Sequence, residues 1–126
     1  MEFRNDQAIY LQIVDYVCER ILLDTWKTEE RIASIRDLAV ELQVTPNTVQ
    51  RSYDFLQHLD IISNRRGVGY FVDKDAMKRV VRYKKEEFIK EKLPVFFKTM
   101  SLLNLDMKEV EILFTAYLKT NKKIAP

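Results

Sequence analysis

Both glycines of this 126-residue chain stand two positions apart, at Gly67 and Gly69. So few glycines leave little room for phosphate-cradling loops or extensive β-structure, and a mainly α fold is expected. The pair lies in a basic hexapeptide, Asn64-Arg65-Arg66-Gly67-Val68-Gly69, between the β-like runs Ile61-Ile62-Ser63 and Tyr70-Phe71-Val72. That pattern predicts a single β-hairpin with a basic glycine tip.

Helical periodicity fills the rest. Ile9, Ile13, Val17 and Ile21 recur every four residues, with Tyr10 and Val14 widening the stripe. An amphipathic helix over 6–23 follows, with Asn5 or Asp6 as its N-cap. The polar stretch 24–31 reads as a loop whose Trp26 packs back on the core. Ser34 and Asp37 form a near capping box for a second helix, with Ile35, Leu38, Ala39 and Leu42 inward. The pattern stops at Leu42-Gln43-Val44. Thr45 as N-cap and Pro46 at the first position then open a third helix over 46–59. Its inward face is Val49, Ser52, Tyr53, Leu56 and Leu59, and its outward face Asn47, Gln50, Arg51 and Asp54.

Beyond Asp75 the apolar positions Val81, Phe88, Ile89, Leu93, Phe96, Met100 and Leu103 fit one long helix. Its later members alternate steps of four and three, like a coiled-coil seam. Pro94 should kink or split it. Asp106 caps a last helix carrying Val110, Leu113, Phe114, Tyr117 and Leu118, and the tail from 120 to 126 is expected to fray.

Composition narrows the function classes. With 47% hydrophobic residues the chain can bury a core. No apolar run approaches the ~20 residues of a membrane span, and MEFRNDQ lacks a signal-peptide core, so a soluble cytoplasmic protein is expected. Cys18 and His58 are each the sole residue of their type, which excludes an internal disulfide and a tetrahedral metal site built on them. Cys18 reads as a small core or boundary residue rather than a redox switch, and His58 as a surface or boundary residue. Nucleophile elbow, glycine-rich phosphate loop and metal cluster are all missing, so neither catalysis nor a cofactor is expected.

Charge is uneven. Residues 1–73 hold 8 Lys or Arg against 12 Asp or Glu, a balance of −4, while residues 74–126 hold 13 against 7. The acidic N-terminal balance argues mildly against DNA binding, so local arrangement has to decide.

Helix, helix, short turn, helix and basic hairpin is the order of a winged helix-turn-helix. Asn and Gln pair with adenine, and Arg with guanine, through two hydrogen bonds, each good pair discriminating by ~1–3 kcal/mol. Asn47, Gln50 and Arg51 are such readers on one face. Ser34 and Thr45 at helix starts offer hydroxyls and backbone N–H groups to phosphate oxygens. Arg65 and Arg66 stand beside Gly67, whose bare backbone can approach a sugar–phosphate rail or the minor groove. The plainer readings are an ion-paired Arg36, an ordinary exposed helix face, and hairpin arginines that only protect an edge. Lys78, Arg79 and Arg82 either form a solvated helix face or add phosphate contacts.

The stretch IYLQIVDYVCERIL…RIASIRDLAVELQVTPNTVQRSYDFLQ…RRGVGYFV resembles the DNA-binding domain of GntR-family bacterial transcription regulators, over residues 8–73. The matching positions are Ile9-Tyr10 with Gln12-Ile13, Ser34-x-Arg36-x-Leu38-Ala39, the run from Val44 to Val49, Arg51-x-Tyr53 and Gly67-x-Gly69-x-Phe71-Val72. The short C-terminal part resembles the YtrA-like subfamily. The resemblance implies DNA contacts from Arg36, Thr45, Asn47, Thr48, Gln50, Arg51, Arg66 and Gly67, to which Ser34, Arg65 and Gly69 are added from the local reading. It also implies a homodimer on a (pseudo)palindromic operator, joined by two C-terminal helices, in a branch whose genes often neighbour transporter operons. The family usually has glycine at Asp24 and again near Glu30, proline at Ala33, and in many branches Arg at Pro46, so the loop before the second helix departs from the pattern.

The expected architecture is therefore mainly α. It comprises a winged helix-turn-helix over 1–73 (three helices plus a two-stranded wing), a two-helix dimerisation region over 74–120 and a tail over 121–126. The expected dimer surface is Phe88, Ile89, Leu93, Phe96, Phe97, Met100, Leu103, Val110, Leu113, Phe114 and Tyr117, because a two-helix appendage is too thin to bury such a row alone. The expected function is a repressor that binds double-stranded operator DNA, with no membrane partner; the sequence neither identifies nor requires a small-molecule effector. The rival reading is a winged-helix module that binds another protein with the same face.

Overall fold

The structure, a computed structural model, describes residues 1–121. Residues 1–82 form one compact unit, and a second begins at Tyr83, so the boundary falls inside a helix. In the first unit, α1 (Ile9–Leu22), α2 (Ile35–Leu42) and α3 (Pro46–His58) precede the hairpin of β1 (Ile62–Arg65) and β2 (Gly69–Val72). The architecture is the expected mainly α winged helix-turn-helix.

Its core collects the inward stripes. Ile13, Val14, Val17 and Ile21 of α1 meet Leu38 of α2 and Val49, Tyr53 and Leu56 of α3, all essentially inaccessible to solvent. Ile61, Ile62 and Val72 from the wing are buried as well, as are Ala76 and Val80 beyond it. Each such aliphatic side chain stabilises the unit by roughly 1.5–3 kcal/mol relative to exposure.

Several element ends differ from the sequence expectation. α1 starts at Ile9 with Ala8 at the cap, and neither Asn5 nor Asp6 caps it. Buried Gln12 is the reason. Its amide accepts from the Arg4 N–H and donates to the carbonyls of Arg4 and Gln7, each at 2.8 Å, which holds residues 4–7 off the helix axis. Ile9 is consequently exposed. Leu59 is half-buried at the C-cap rather than a core position: Asp60 adopts φ 58° and the Ile61 N–H returns to the Leu56 carbonyl. Between α2 and α3, Gln43 takes the left-handed conformation (φ 57°, ψ 48°) and the Val44 N–H closes on the Ala39 carbonyl at 3.0 Å.

The wing pairs Ile62 with Val72 and Arg65 with Gly69 in antiparallel register. Arg65 accepts at its carbonyl from the Val68 N–H, and Gly67 sits third in that turn with φ 79°. A type II turn requires such an angle there, which is why glycine occupies the tip. The polar loop 24–31 carries an unexpected feature. Residues 29–32 lie along β2, with Arg31 bridging Phe71 and backbone bonds joining Glu29 to Val72 and Ile32 to Tyr70. Trp26 meets Tyr16 edge-on, but both rings are half-buried, so the indole packs on the rim of the core rather than in it.

Beyond the wing, α4 (Ala76–Glu87) is followed by a π turn at Phe88–Lys92, then α5 (Leu93–Leu103) and α6 (Met107–Thr120). Pro94 cannot donate to the Lys90 carbonyl, and the helix widens into the π turn just before it, but Lys92 and Leu93 keep helical angles, so the chain stays helical rather than splitting there. Asp106 caps α6 by accepting from the Glu109 N–H at 2.9 Å. Thr120 ends α6 and Asn121 caps it; the remainder of the tail expected to fray lies outside the described residues. Among the described residues no helix is long and apolar enough to cross a membrane.

Candidate nucleic-acid interface

The side chains that the sequence places at the interface come from three local devices. At the start of α2, the Ser34 hydroxyl accepts from the Asp37 N–H at 3.0 Å, leaving its own proton for another acceptor. Arg36 is exposed on the first turn, with no ion-pair partner among the described residues.

α3 presents the second group. Thr45 holds the N-cap position by its backbone, but its hydroxyl does not cap the helix; it lies 2.9 Å from the Thr48 hydroxyl. Asn47, Gln50 and Arg51 are exposed, and Thr48 is half-buried. Asn47, Thr48 and Arg51 share an open cleft of about 380 Å³ with Ala8, Ile9 and Tyr10 of the α1 start. The Gln50 amide donates to Asp54 one turn on, at 2.9 Å. The Arg51 guanidinium rests on the Tyr10 ring, 3.8 Å from its centroid.

Beneath this face the helix is pinned by polar groups. The buried Ser52 hydroxyl reaches the Tyr10 carbonyl at 2.8 Å, and the Tyr53 hydroxyl donates to the Ala33 carbonyl at 2.7 Å. Tyr53 also meets Tyr70 edge-on, with centroids 4.8 Å apart, which ties α3 to the wing. Burial pushes the Tyr53 hydroxyl well above its ordinary pKa, and the neighbouring Tyr70 and Glu41 act in the same direction. The recognition helix is thus fixed against α1, against the segment before α2 and against β2.

The wing supplies the third group. Arg65 and Arg66 are exposed, Gly67 forms the tip, and nothing stands within 4 Å of the Cβ that Gly67 lacks. Gly69 differs: Arg31 Nε would lie 2.8 Å from a Cβ there, so its bare face is covered from within the protein. The Arg65 guanidinium stacks on the Phe71 ring at 3.9 Å.

The charge tally for residues 1–73 now resolves by position. Arg4, Arg20 and Lys27 pair with Asp6, Glu19 and Asp24. Arg31, Arg36, Arg51, Arg65 and Arg66 have no carboxylate partner among the described residues. The unneutralised cations are those of α2, α3 and the wing with its neighbouring segment. Arg79, one of the cations weighed as an extra phosphate contact, is held internally by Asp73 and the Asp60 carbonyl, both at 2.7 Å. Lys78 and Arg82 remain exposed. Sequence reasoning missed Tyr10, Phe71 and Arg31 as partners of this surface. Tyr10 sits four residues before Val14 in a helix stripe, and nothing in that periodicity signals a stack on Arg51.

The second unit carries the apolar row. Phe88, Ile89, Phe96, Phe97, Leu103, Leu113, Phe114 and Tyr117 are exposed, and Leu93 and Val110 half-buried. α6 buries none of its residues. Met100 is the exception. It is already buried in the single chain, where the reversal at Asn104 brings the Leu105 N–H to its carbonyl at 2.9 Å.

Comparison with known proteins agrees with this geometry. The family described as "Bacterial regulatory proteins, gntR family" matches residues 9–72. YhcF of Bacillus subtilis, an uncharacterized HTH-type transcriptional regulator, is 33% identical over 109 residues, covering 86% of this chain and 88% of its own. YtrA of the same organism, named an HTH-type transcriptional repressor, is 33% identical over 90 residues, covering 71% and 68%. A solved GntR-family transcriptional regulator from Listeria monocytogenes superposes with a TM-score of 0.73 at 30% identity, over 90% of this chain and 98% of that one.

Proposed function

This chain belongs to the gntR family of bacterial regulatory proteins and is a transcription regulator with a DNA-binding helix-turn-helix, and from that premise we propose that it is a cytoplasmic repressor acting as a homodimer on a (pseudo)palindromic operator. The observation that carries the DNA-reading surface is the partition of charge: ion pairs hold Arg4, Arg20 and Lys27, while Arg36 of α2, Arg51 of α3, Arg65 and Arg66 of the wing, and Arg31 beside it, have no carboxylate partner among the described residues. Phosphate-driven binding needs such cations, whatever the net charge of the unit. Asn47, Gln50 and Arg51 then read base edges in the major groove, Ser34, Arg36, Thr45 and Thr48 hold the backbone, and the wing tip with Arg65, Arg66, Gly67 and Gly69 follows the adjacent rail or minor groove.

The homodimer rests on the exposed apolar side chains of α5 and α6. A fourteen-residue helix with no buried residue gains too little from its own hydrogen bonds to persist alone, and covering by a second copy supplies the missing burial. Two recognition helices in successive major grooves require a separation of ~34 Å or a multiple. The likeness to YtrA, named a repressor, supports the sign of regulation.

Selection of bound fragments from random DNA, followed by gel-shift titration, tests the reading. Arg51→Ala should lose the preference for the selected fragment over random duplex, whereas Arg66→Ala should weaken both equally. Unchanged binding by both variants would refute the assignment. Binding that is indifferent to salt would favour a protein partner on the same face.

A further inference from the structure

Arg31 belongs to none of the devices described so far, yet the wing brings it to the same surface. Residues 29–32 run antiparallel to β2, with Arg31 opposite Phe71 on one side of that strand and Arg65 opposite Gly69 on the other. Directly opposed residues of antiparallel strands point to the same side of the sheet, and residues two apart on a strand share a side. Arg31, Arg65, Gly69 and Phe71 therefore occupy one face.

On that face the two arginines lean over β2 from its two flanks. Arg65 reaches from beside Gly69 to the Phe71 ring, 3.9 Å from the centroid. Arg31 reaches from beside Phe71 to Gly69, where a Cβ would stand 2.8 Å from its Nε and 3.3 Å from its Nη2. The missing side chain of Gly69 is the space that lets Arg31 cross. Both residues are exposed, and neither has a carboxylate partner among the described residues. Two like charges brought toward one strand repel, and an anion shared between them turns that repulsion into attraction. The planar forks of two guanidiniums match the oxygens of a phosphodiester, which accepts several charge-assisted hydrogen bonds at once.

We propose that Arg31 and Arg65 form a phosphate clamp on the wing that takes one backbone phosphodiester of duplex DNA. The inference rests on the DNA-binding reading above and adds a contact from the segment before α2. The clamp carries no base information, so it acts equally on every sequence.

The test uses the full chain and fluorescence anisotropy with a labelled random-sequence duplex, between about 50 and 200 mM salt. Arg31→Ala and Arg31→Gln should each weaken binding at every salt concentration, and the double variant Arg31→Ala with Arg65→Ala, which leaves the shared phosphate without a cation, should reduce the slope of log affinity against log salt by about 0.9 per bound protomer. Arg31→Gln keeps the side-chain stem over Gly69, so it decides the matter if Arg31→Ala also lowers the melting temperature. Arg31→Ala combined with Arg65→Ala should lose less affinity than the sum of the single losses, because the two side chains share one phosphate. Arg4→Ala removes the same charge from an arginine paired with Asp6 and should leave the slope as in the wild type. Wild-type affinity in both Arg31 variants, a wild-type slope in the double variant, or an equal change in Arg4→Ala, overturns the clamp while DNA binding stands. A wild-type protein that shows no salt-dependent binding overturns the DNA-binding reading itself, and the clamp with it.

Discussion

Tyr53→Phe isolates one hydrogen bond at the anchor of the recognition helix, and its effect should depend on pH in a defined way. The side chain is fully buried, with its ring against Tyr70 and its hydroxyl 2.7 Å from the Ala33 carbonyl. Phenylalanine keeps the ring and its contact but leaves the half-buried carbonyl without this donor. The expected loss near neutral pH is about 1–2 kcal/mol. In the folded chain, burial first and Tyr70 and Glu41 second hold the hydroxyl proton above the ordinary pKa of 10.0. The unfolded chain releases that proton near its ordinary value. A raised folded pKa contributes stability that is complete below about pH 10 and is lost above it, at up to ~1.4 kcal/mol per pH unit. The Tyr53→Phe variant lacks this proton, while all other groups titrate alike in both proteins. The stability difference should therefore be flat up to about pH 10, close about one unit higher, and then reverse. Urea unfolding at fixed protein concentration, from about pH 7 to 11, measures it. A difference that is constant across the range, or absent at neutral pH, would refute the account of Tyr53 as a buried, donating anchor.

Three further outcomes are expected. Glu29 adopts φ 66°, a conformation that costs an ordinary residue ~1–2 kcal/mol against ~0.5–1 for the extra freedom of glycine; Glu29→Gly should raise the melting temperature by a few degrees in a circular-dichroism melt, and a drop would show that this side chain is not strained. Phe96→Glu should yield particles near 15.0 kDa by light scattering where the wild type gives twice that mass, and a persistent dimer would move the interface elsewhere. Asp54→Ala removes a carboxylate from the reading face and releases the Gln50 amide; affinity for random duplex should rise and the ratio of selected to random binding should fall, with parallel gains on both indicating simple repulsion.

What could be read from the chain beforehand was the local chemistry. The α1 stripe, the Ser34 and Asp106 caps, Pro46 at the first turn of α3 and the Gly67 tip each follow from spacing or from one residue's allowed angles. The misses are long-range or competitive. Asn5 and Asp6 are suitable caps, but Gln12 captured their segment first. The strip at 29–32 is polar but for Ile32, without alternation, and is held by backbone bonds to a strand some forty residues on, so no local pattern marks it. The loop departures from the GntR pattern did carry information. Asp24 stands at φ 61°, and the second glycine position, near Glu30, has its left-handed residue at Glu29. At both positions this chain holds a left-handed backbone with a side chain that glycine would lack.

The balance of −4 over residues 1–73 was the best argument against DNA at the outset, and its failure has a specific cause. A guanidinium can be fixed in place by a carboxylate or by an aromatic face, and the two are not equivalent. A carboxylate fixes it by cancelling its charge and occupying its donors. A ring fixes it through its π face, leaving the charge uncancelled and the N–H groups in the guanidinium plane free to donate outward. Arg51 on Tyr10 and Arg65 on Phe71 use the second device, and Arg31 over the bare backbone of Gly69 achieves the same end without a ring. The acidic residues near these positions then contribute a diffuse field that salt screens within about 8 Å at physiological ionic strength, whereas a contacted phosphate lies well inside that distance. On the proposed reading, net charge therefore governs how this unit approaches DNA from afar, and the stacked arginines would govern what happens on contact.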